Sequence, residues 1–368
     1  MSNPRFYYLD HLRAFAMLFG ILLHTTTLAE FGSIEVVTVI SNNFRMAVFY
    51  VLSGFFAGML IDRRGPTTFL KDRSIAIGLP MLITLVLLNP ITLWLVYNVH
   101  NPPVPINDIT QIVELSISAP ADVSGPVVWH LHLWFLVALL VYILLARPMQ
   151  IAIGSVLSFD RLRQTALQIP EPLQIIALAF VATIAVMSMR AVSSLALGEH
   201  EAFWIVRATL TYAPWYALGL LCWQERGLWE RMHRLDPVLI SVVVILWVTT
   251  GHEDVSGPVY VLRRSLTIVA VLCGLLYVFR KLLDRSIATI DKVTNGAYSI
   301  YLFHYAVIYL LGTALIPMFP ENSIWLYWIV VTGTFAITYA LHRGVILRMP
   351  VLTFLFNGKL ARPPLRQR

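Results

Sequence analysis

Long apolar stretches alternate with short polar segments along the whole chain. A helix needs roughly 20 apolar residues to cross a bilayer, and ten stretches approach that length. They cover residues 12–30, 42–61, 75–97, 129–146, 173–190, 204–223, 238–250, 266–279, 295–315 and 325–345. The pattern predicts an all-α, polytopic membrane protein of about ten transmembrane helices, in which the seventh and eighth spans are short.

The composition supports this class. The 368 residues are 58% hydrophobic and only 13% charged, whereas a soluble domain carries about 25% charged residues. The net charge of +7 is what the cytoplasmic loops of a membrane protein contribute, so it does not indicate nucleic acid as a partner. The two cysteines, Cys222 and Cys273, lie in apolar runs and have neither disulfide-framework nor zinc spacing. No metal site is predicted.

The distribution of basic residues predicts the topology. With an inside N-terminus, 22 of the 27 lysines and arginines fall on the inner side, and cytoplasmic loops carry such an excess. Both termini are therefore predicted to be cytoplasmic. Residues 1–345 are interpreted as the transmembrane domain and 346–368 as a basic tail able to lie on the inner membrane face. Asp10, His11 and Arg13 crowd the first apolar run, so it is not interpreted as a cleaved signal.

The first predicted helix carries two ionisable groups, Arg13 and His24. Eleven helical steps return to nearly the same face, with a rise of about 16 Å. Arg13 is therefore predicted at a membrane surface and His24 near the middle of the bilayer. A histidine at that depth is either a functional residue or a hydrogen-bonding partner of a neighbouring helix.

Further polar groups fall within or beside the predicted spans. Arg45 is expected near the outer end of the second span, either reaching the headgroups or binding a carboxylate. His130 and His132 are about 200° apart on a helix, so at most one faces a given cavity. That spacing also argues against a metal clamp.

The ninth span carries a polar stripe of Tyr298, Tyr301, His304 and Tyr305 at three- and four-residue spacing. Such a stripe must face protein or a cavity, because lipid does not satisfy polar groups. It is either a structural hydrogen-bond seam or part of an active-site wall. Convergence of these groups with His24 would form a site inside the membrane for transport or group transfer. A histidine without metal ligands favours transfer, with the imidazole as base or nucleophile.

A basic loop precedes the third span. It contains Arg63, Arg64, Lys71 and Arg73. These charges either only set the membrane topology or also form a phosphate-binding entrance for a cytoplasmic donor. No glycine-rich phosphate loop is present, so these side chains would have to hold any nucleotide.

Several segments resemble the acyltransferase-3 family of membrane O-acyltransferases. They are Leu9-Asp10, the Arg13 and His24 pair, Phe49-Tyr50-Val51-Leu52-Ser53-Gly54-Phe55-Phe56, His132-Leu133-Trp134-Phe135-Leu136 and Ser299-Ile300-Tyr301-Leu302-Phe303-His304. The likeness runs nearly end to end and is greatest to the branch that succinylates osmoregulated periplasmic glucans.

The resemblance implies a ten-helix enzyme of a bacterial inner membrane. It implies transfer of a succinyl or other acyl group from cytoplasmic acyl-CoA, with succinyl-CoA expected, to hydroxyls of a periplasmic glucan. His24 is then the catalytic histidine, Arg13 the essential arginine and Arg73 a donor-binding residue. Around Arg73 the chain departs from relatives that often carry a second arginine. The donor is a substrate, and no permanently bound cofactor is expected.

Other substrate roles follow from position and charge. Arg45 is predicted to bind the succinyl carboxylate, and His132, Tyr301 and His304 to line the substrate site. Arg63 and Arg64 are predicted to contact the donor. Expected partners are membrane lipid, acyl-CoA and a glycan acceptor, and the sequence leaves the oligomeric state open.

Two alternatives remain. One is O-acetylation of another envelope glycan, such as lipopolysaccharide or exopolysaccharide. The other is a transporter of a glycan or organic anion, although the inverted repeats typical of transporters are not found. Asn89-Pro90 is one place where the third span could be broken. A purely structural scaffold fits poorly with ionisable groups inside spans.

Overall fold

The computed structural model describes residues 5–118, 123–159, 168–198, 203–250, 257–320 and 322–358. Within these residues the regular structure is helical and contains no strand. The helices are α1 (Tyr7–Thr25), α2 (Glu35–Arg64), α3 (Pro66–Ile83), α4 (Asn89–His100), α5 (Ile109–Ser118), α6 (Trp134–Leu157), α7 (Glu171–Leu197), α8 (Trp204–Gln224), α9 (Arg226–Arg231), α10 (Pro237–Thr250), α11 (Gly257–Leu283), α12 (Ala288–Leu315), α13 (Ile324–Gly344) and α14 (Pro350–Asn357).

Seven helical segments in the described part of the chain are long and apolar enough to cross a membrane. They are Glu35–Arg64, Pro66–His100, Leu131–Leu157, Leu173–Leu197, Gly257–Leu283, Ala288–Met318 and Ile324–Arg348. The predicted class, an all-α polytopic membrane protein, is confirmed. The other three predicted spans coincide with α1, α8 and the short apolar α10. The count of ten spans and the side of the termini stay predictions.

The third span accommodates a proline without ending. Pro90 lacks the backbone N–H that would bond four residues back, and a π-helical turn over Thr84–Leu88 precedes it. Such wider turns are found where the regular helical ladder is interrupted. The chain therefore stays helical from Pro66 to His100, and Asn89-Pro90 does not break the span.

The described residues form two compact units. The first is drawn from Met1–Ala16, Asn42–Leu70 and Val141–Asp291, and the second from Met17–Ser41, Lys71–Leu140 and Lys292–Arg368. The division passes through α1 between Ala16 and Met17, so Arg13 belongs to the first unit and His24 to the second.

In the first unit, two glycines let α2 and α8 pack backbone against backbone. A Cβ atom at Gly54 would overlap the carbonyl oxygen of Tyr216, and one at Gly219 would overlap that of Val51. Small residues permit this close approach between membrane helices. The close neighbour of Gly54 is thus the backbone of α8.

Replacing a helical glycine with alanine usually stabilises the helix, and we expect the crossing of α2 and α8 to reverse that effect. We expect Gly219→Ala to lower the free energy of unfolding by about 1–3 kcal/mol, because the added methyl group overpacks the crossing. The control Gly227→Ala meets open space in α9 and should be neutral or stabilise by up to about 1 kcal/mol. Thermal unfolding can be followed with a thiol-reactive dye, because Cys222 and Cys273 are both buried. Equal stability of the two variants would contradict this packing.

The second unit has its own apolar core. It includes Leu28, Phe31, Ile300, Tyr327 and Val330, contributed by α12, α13 and the segment after α1. A Cβ atom on Gly312 of α12 would overlap the side chain of Leu28. This packing holds the C-terminal part of α12 against the chain that continues from His24.

The predicted C-terminal tail folds back onto α12 where it is described. Ser299 donates a hydrogen bond to the side chain of Asn357 at 2.6 Å, and the rings of Phe303 and Phe356 lie 4.9 Å apart. Residues 359–368, which the topology count also used, lie outside the described residues, as do Arg161 and Arg163. The domain division at residue 345 stays a prediction.

Candidate functional site

Three histidines from separate parts of the sequence meet in the second unit. His24 lies in the last turn of α1, with its ring 6.2 Å from that of His132 and 5.2 Å from that of His304. The rings of His132 and His304 are 4.9 Å apart. His132 and His304 are buried, whereas His24 is half-buried. His24 is therefore the most exposed residue of this histidine cluster (His24, His132 and His304).

The backbone before α6 positions His132. A short 3-10 helix spans Leu131–Leu133, and Leu131 has a φ of 44°, a left-handed conformation that is strained for a leucine. The buried Asn89 side chain donates a hydrogen bond to the carbonyl of Trp129 at 2.9 Å. The segment is thus fixed from α4, and strain of this kind is common at functional sites.

This geometry corrects the prediction that residues 129–146 form one helix. The α-helix begins at Trp134, and His130 and His132 lie on the preceding turn and 3-10 helix. The separation of about 200° expected for two residues of one helix therefore does not apply to them. The expectation that one of the pair joins the site is nevertheless met, because His132 packs against His24. His130 instead contacts Trp129 and the carbonyl of Leu131.

Hydrogen bonds from α12 fix the orientation of His304 and link Tyr301 to His132. The Nδ1 atom of His304 lies 2.5 Å from the carbonyl oxygen of Tyr301. A carbonyl only accepts, so Nδ1 carries the hydrogen in this contact. The hydroxyl of Tyr301 donates to the carbonyl of His132. Two predicted site residues are thus held by main-chain acceptors.

Tyr305 completes the wall of the cluster. Its ring stacks on His132 at 5.0 Å and lies edge-on to His24, also at 5.0 Å. The prediction that the stripe faces protein is confirmed for Tyr301, His304 and Tyr305, which are all buried. Tyr298 points elsewhere and donates to the carbonyl of Ile77 at 3.2 Å.

Sequence reasoning missed a second polar layer beyond the cluster. The hydroxyl of Tyr309 donates to the carbonyl of Thr27 at 3.0 Å and lies 3.2 Å from Nε2 of His100. The hydroxyl of Thr27 donates to the carbonyl of His24 at 2.8 Å. Tyr309 continues the three- and four-residue spacing of the ninth span, so that signal was available. No such signal marks His100 in the sequence, because only folding brings α4 next to Tyr309.

Within the described residues, no group of three His, Cys, Asp or Glu side chains is arranged to hold a metal ion. The imidazoles of the histidine cluster pack edge to face or tilted. Imidazole groups can transfer protons or act as nucleophiles, and the catalytic role of His24 stays a prediction.

Arg45 lies within α2, about 15 Å along the helix from Glu35. Its predicted position near the outer end of the second span stays a prediction. Its side chain belongs to the first unit and is only 8% exposed. A snorkelling arginine keeps its guanidinium in water or among headgroups, and this low exposure favours the other interpretation, which stays a prediction.

Arg13 and the predicted donor cations are divided between the two units and are described within each. In the first unit, Arg13 pairs with Asp10 at 3.6 Å and lies 5.3 Å above the ring of Phe56. Arg63 and Arg64 end α2 with exposed side chains. In the second unit, Arg73 is half-buried on α3. The structure thus groups His24, His132, Tyr301 and His304, while Arg13, Arg45, Arg63 and Arg64 belong to the other unit.

Comparison with known proteins identifies the family. A family model described as an acyltransferase domain matches residues 6–343. The chain belongs to this acyltransferase family. It is 28% identical to the Glucans biosynthesis protein C of Salmonella paratyphi B, across 99% of this chain and 97% of the relative. The proteins of that name from Salmonella dublin and Salmonella gallinarum match equally. No solved structure matches.

Membership of the acyltransferase family makes this chain a multi-pass membrane acyltransferase. The match includes all three histidines of the cluster and extends almost to the end of α13. It confirms the family that the sequence segments resemble. The roles of individual residues stay predictions.

Proposed function

We propose that this acyltransferase moves a succinyl group from cytoplasmic succinyl-CoA to hydroxyls of a periplasmic glucan. The observation that carries the proposal is the histidine cluster, in which a half-buried His24 lies beside two buried imidazoles. The similarity to proteins named for glucan biosynthesis supports the acceptor. The buried Arg45 supports an anionic acyl group.

The proposed topology has ten spans in a bacterial inner membrane and both termini in the cytoplasm. It adds α1, α8 and α10 to the seven long apolar segments. The asymmetry of lysines and arginines supports the orientation. In this topology Arg13 lies towards the cytoplasm, and the C-terminal end of α1, with His24, lies towards the periplasm.

In the proposed reaction His24 removes a proton from the acceptor hydroxyl as the oxygen attacks the thioester carbonyl. The new C–O ester bond forms, the C–S bond breaks, and the departing CoA sulfur takes the proton from His24. In the alternative, the imidazole attacks the thioester carbonyl, the C–S bond breaks, and the imidazole N–H proton passes to the departing CoA sulfur. The glycan hydroxyl then attacks the acyl-imidazole, the C–N bond breaks, and the hydroxyl proton returns to the imidazole. Both routes need an accessible imidazole. His132, Tyr301 and His304 would orient it and contact the substrates.

The donor would be held by cations at cytoplasmic helix ends. Arg13 is proposed to orient the donor, and Arg63, Arg64 and Arg73 to contact its phosphates. Arginine suits this role because its planar guanidinium forms paired hydrogen bonds with phosphate oxygens. Arg63 also lies 6.0 Å from the ring of Trp223, so an aromatic surface adjoins these charges.

Mass spectrometry of periplasmic glucans tests this proposal. Cells lacking the protein should lose the mass increment of one or more succinyl groups from their glucans, and re-supplying the wild-type chain should restore it. Unchanged glucans in the deletion strain would refute succinylation of glucan. Acetyl groups lost from another envelope polysaccharide would then identify the acetyltransferase alternative.

A further inference from the structure

A pocket of about 360 Å³ opens directly beyond the histidine cluster in the second unit. Its polar lining consists of Thr26, Thr27, Glu30, Glu35, Thr38 and His100. Ligand pockets span roughly 300–1,000 Å³, so the volume suits a small ligand or a short piece of a polymer. We refer to it as the threonine–glutamate pocket.

The wall of this pocket is continuous with the end of α1. Thr26 and Thr27 donate hydrogen bonds to the carbonyls of Leu23 and His24, at 2.7 and 2.8 Å. The hydroxyls of Thr26 and Thr38 lie 3.3 Å apart. A ligand bound here would therefore lie against the turn that follows His24.

The floor of the pocket connects to the cluster through aromatic residues. His100 lines the pocket and lies 3.2 Å from the hydroxyl of Tyr309. Because the Tyr309 hydroxyl donates to Thr27, Nε2 of His100 must carry the hydrogen in that contact, which leaves Nδ1 as the acceptor of the ring. The ring of Tyr309 lies 5.2 Å from that of Tyr305, which contacts His24.

The rest of the chain keeps His100 at this position. Gly125 has a φ of +80°, and a Cβ atom there would overlap the His100 ring. Only glycine can adopt this positive φ and also leave room for the His100 ring at low cost. The loop and the histidine are thus built to fit each other.

We propose that the threonine–glutamate pocket is the acceptor subsite and that it selects a neutral glycan. This inference rests on the proposed transfer to a glycan hydroxyl. Sugar hydroxyls both donate and accept, as threonine hydroxyls do, and carboxylates accept strong hydrogen bonds from hydroxyls. The bound segment would leave a neighbouring hydroxyl to be acylated at His24.

The charge of the lining is the basis for selectivity. Glu30 and Glu35 are exposed carboxylates, and no lysine or arginine is among the lining residues. A glycan carrying carboxylates or phosphates would meet two like charges. Because these groups are exposed, salt should weaken the repulsion. In the described residues no third ligand joins the two glutamates as a metal site, so they are interpreted as hydrogen-bond acceptors.

Binding measurements separate this pocket from the transfer chemistry. The probes are a neutral β-gluco-oligosaccharide and the same oligosaccharide oxidised to carry glucuronate. The protein is full-length His24→Ala in phosphatidylcholine nanodiscs, since maltoside detergents would compete as sugars. We expect the neutral probe to bind about 5- to 10-fold more tightly at low salt, and the preference to shrink as salt is added.

The double variant Glu30→Gln/Glu35→Gln, in the same background, should reduce the neutral-over-anionic preference to about twofold or less. Thr38→Val should weaken binding of both probes. Glu114→Gln is the matched control, because Glu114 is an exposed acid of the same unit outside the pocket. It should behave like the parent protein.

Absence of oligosaccharide binding, or an unchanged preference in the double variant, would overturn the pocket assignment. The wild-type chain is assayed in parallel for acyl transfer to glucan. Transfer without an effect of the glutamates would refute the pocket alone. Glutamate-dependent binding without any transfer would support the pocket and refute the proposed function.

Discussion

Replacing His24 with alanine is expected to lower the rate of acyl transfer about 10²- to 10⁴-fold, the usual contribution of a positioned acid–base group. The reason is geometric. His24 is the most exposed member of the histidine cluster, while His304 uses its Nδ1 hydrogen on the carbonyl of Tyr301. The measurement is initial-rate transfer from labelled acyl-CoA to glucan in proteoliposomes, normalised to folded protein.

A buried histidine outside the histidine cluster supplies the control. His233 in the first unit donates from Nδ1 to the carbonyl of Trp229 at 2.8 Å and contacts the Tyr8 hydroxyl at 3.0 Å. Burial lowers the pKa of its imidazole, so we interpret it as a neutral structural group. His233→Gln should reduce stability while leaving the rate per folded molecule close to wild type. Near-normal transfer by His24→Ala would instead make His24 structural and refute its catalytic role.

Arg45→Met is expected to reduce succinyl transfer about 10- to 100-fold, while acetyl transfer falls far less. A hydrogen bond between charged groups contributes about 1.5–3 kcal/mol, and each 1.4 kcal/mol corresponds to a factor of ten. The prediction rests on the position of a cation that is 8% exposed within α2. An acetyl group has no carboxylate for that cation to bind.

The informative quantity is the ratio of the two rates on one preparation, because any loss of folded protein cancels. Rates are measured with succinyl-CoA and acetyl-CoA at saturating glucan. Arg45→Lys keeps the charge and should retain part of the preference for succinyl. Equal losses for both donors would show that Arg45 is structural and would remove the reason to assign it to the carboxylate.

The sequence by itself determined the fold class and pointed to several residues that the structure brings together. Apolar runs of bilayer length predicted helices, because a chain in lipid must satisfy its backbone hydrogen bonds internally. The spacing of Tyr301, His304 and Tyr305 predicted a buried polar face on α12, which the structure confirms. His24 stood out because an ionisable group at that depth needs a reason to be there. These are local properties, readable from neighbours along one helix.

Only the tertiary structure decided which polar groups meet. It placed His132 on a 3-10 helix after a left-handed Leu131 that no periodicity signals, and there His132 meets His24. It also brought His100 from α4 to Tyr309, and so formed the threonine–glutamate pocket beyond His24.

The structure also settled where individual residues lie along and between helices. Gly54 and Gly219 are far apart in sequence, yet they form one crossing. The helix α2 begins at Glu35, before the apolar run that marked its span, and Arg45 lies buried within it. The physical reason is common to all of these cases. A helical pattern fixes which side chains share a face, but packing between distant segments fixes what that face touches.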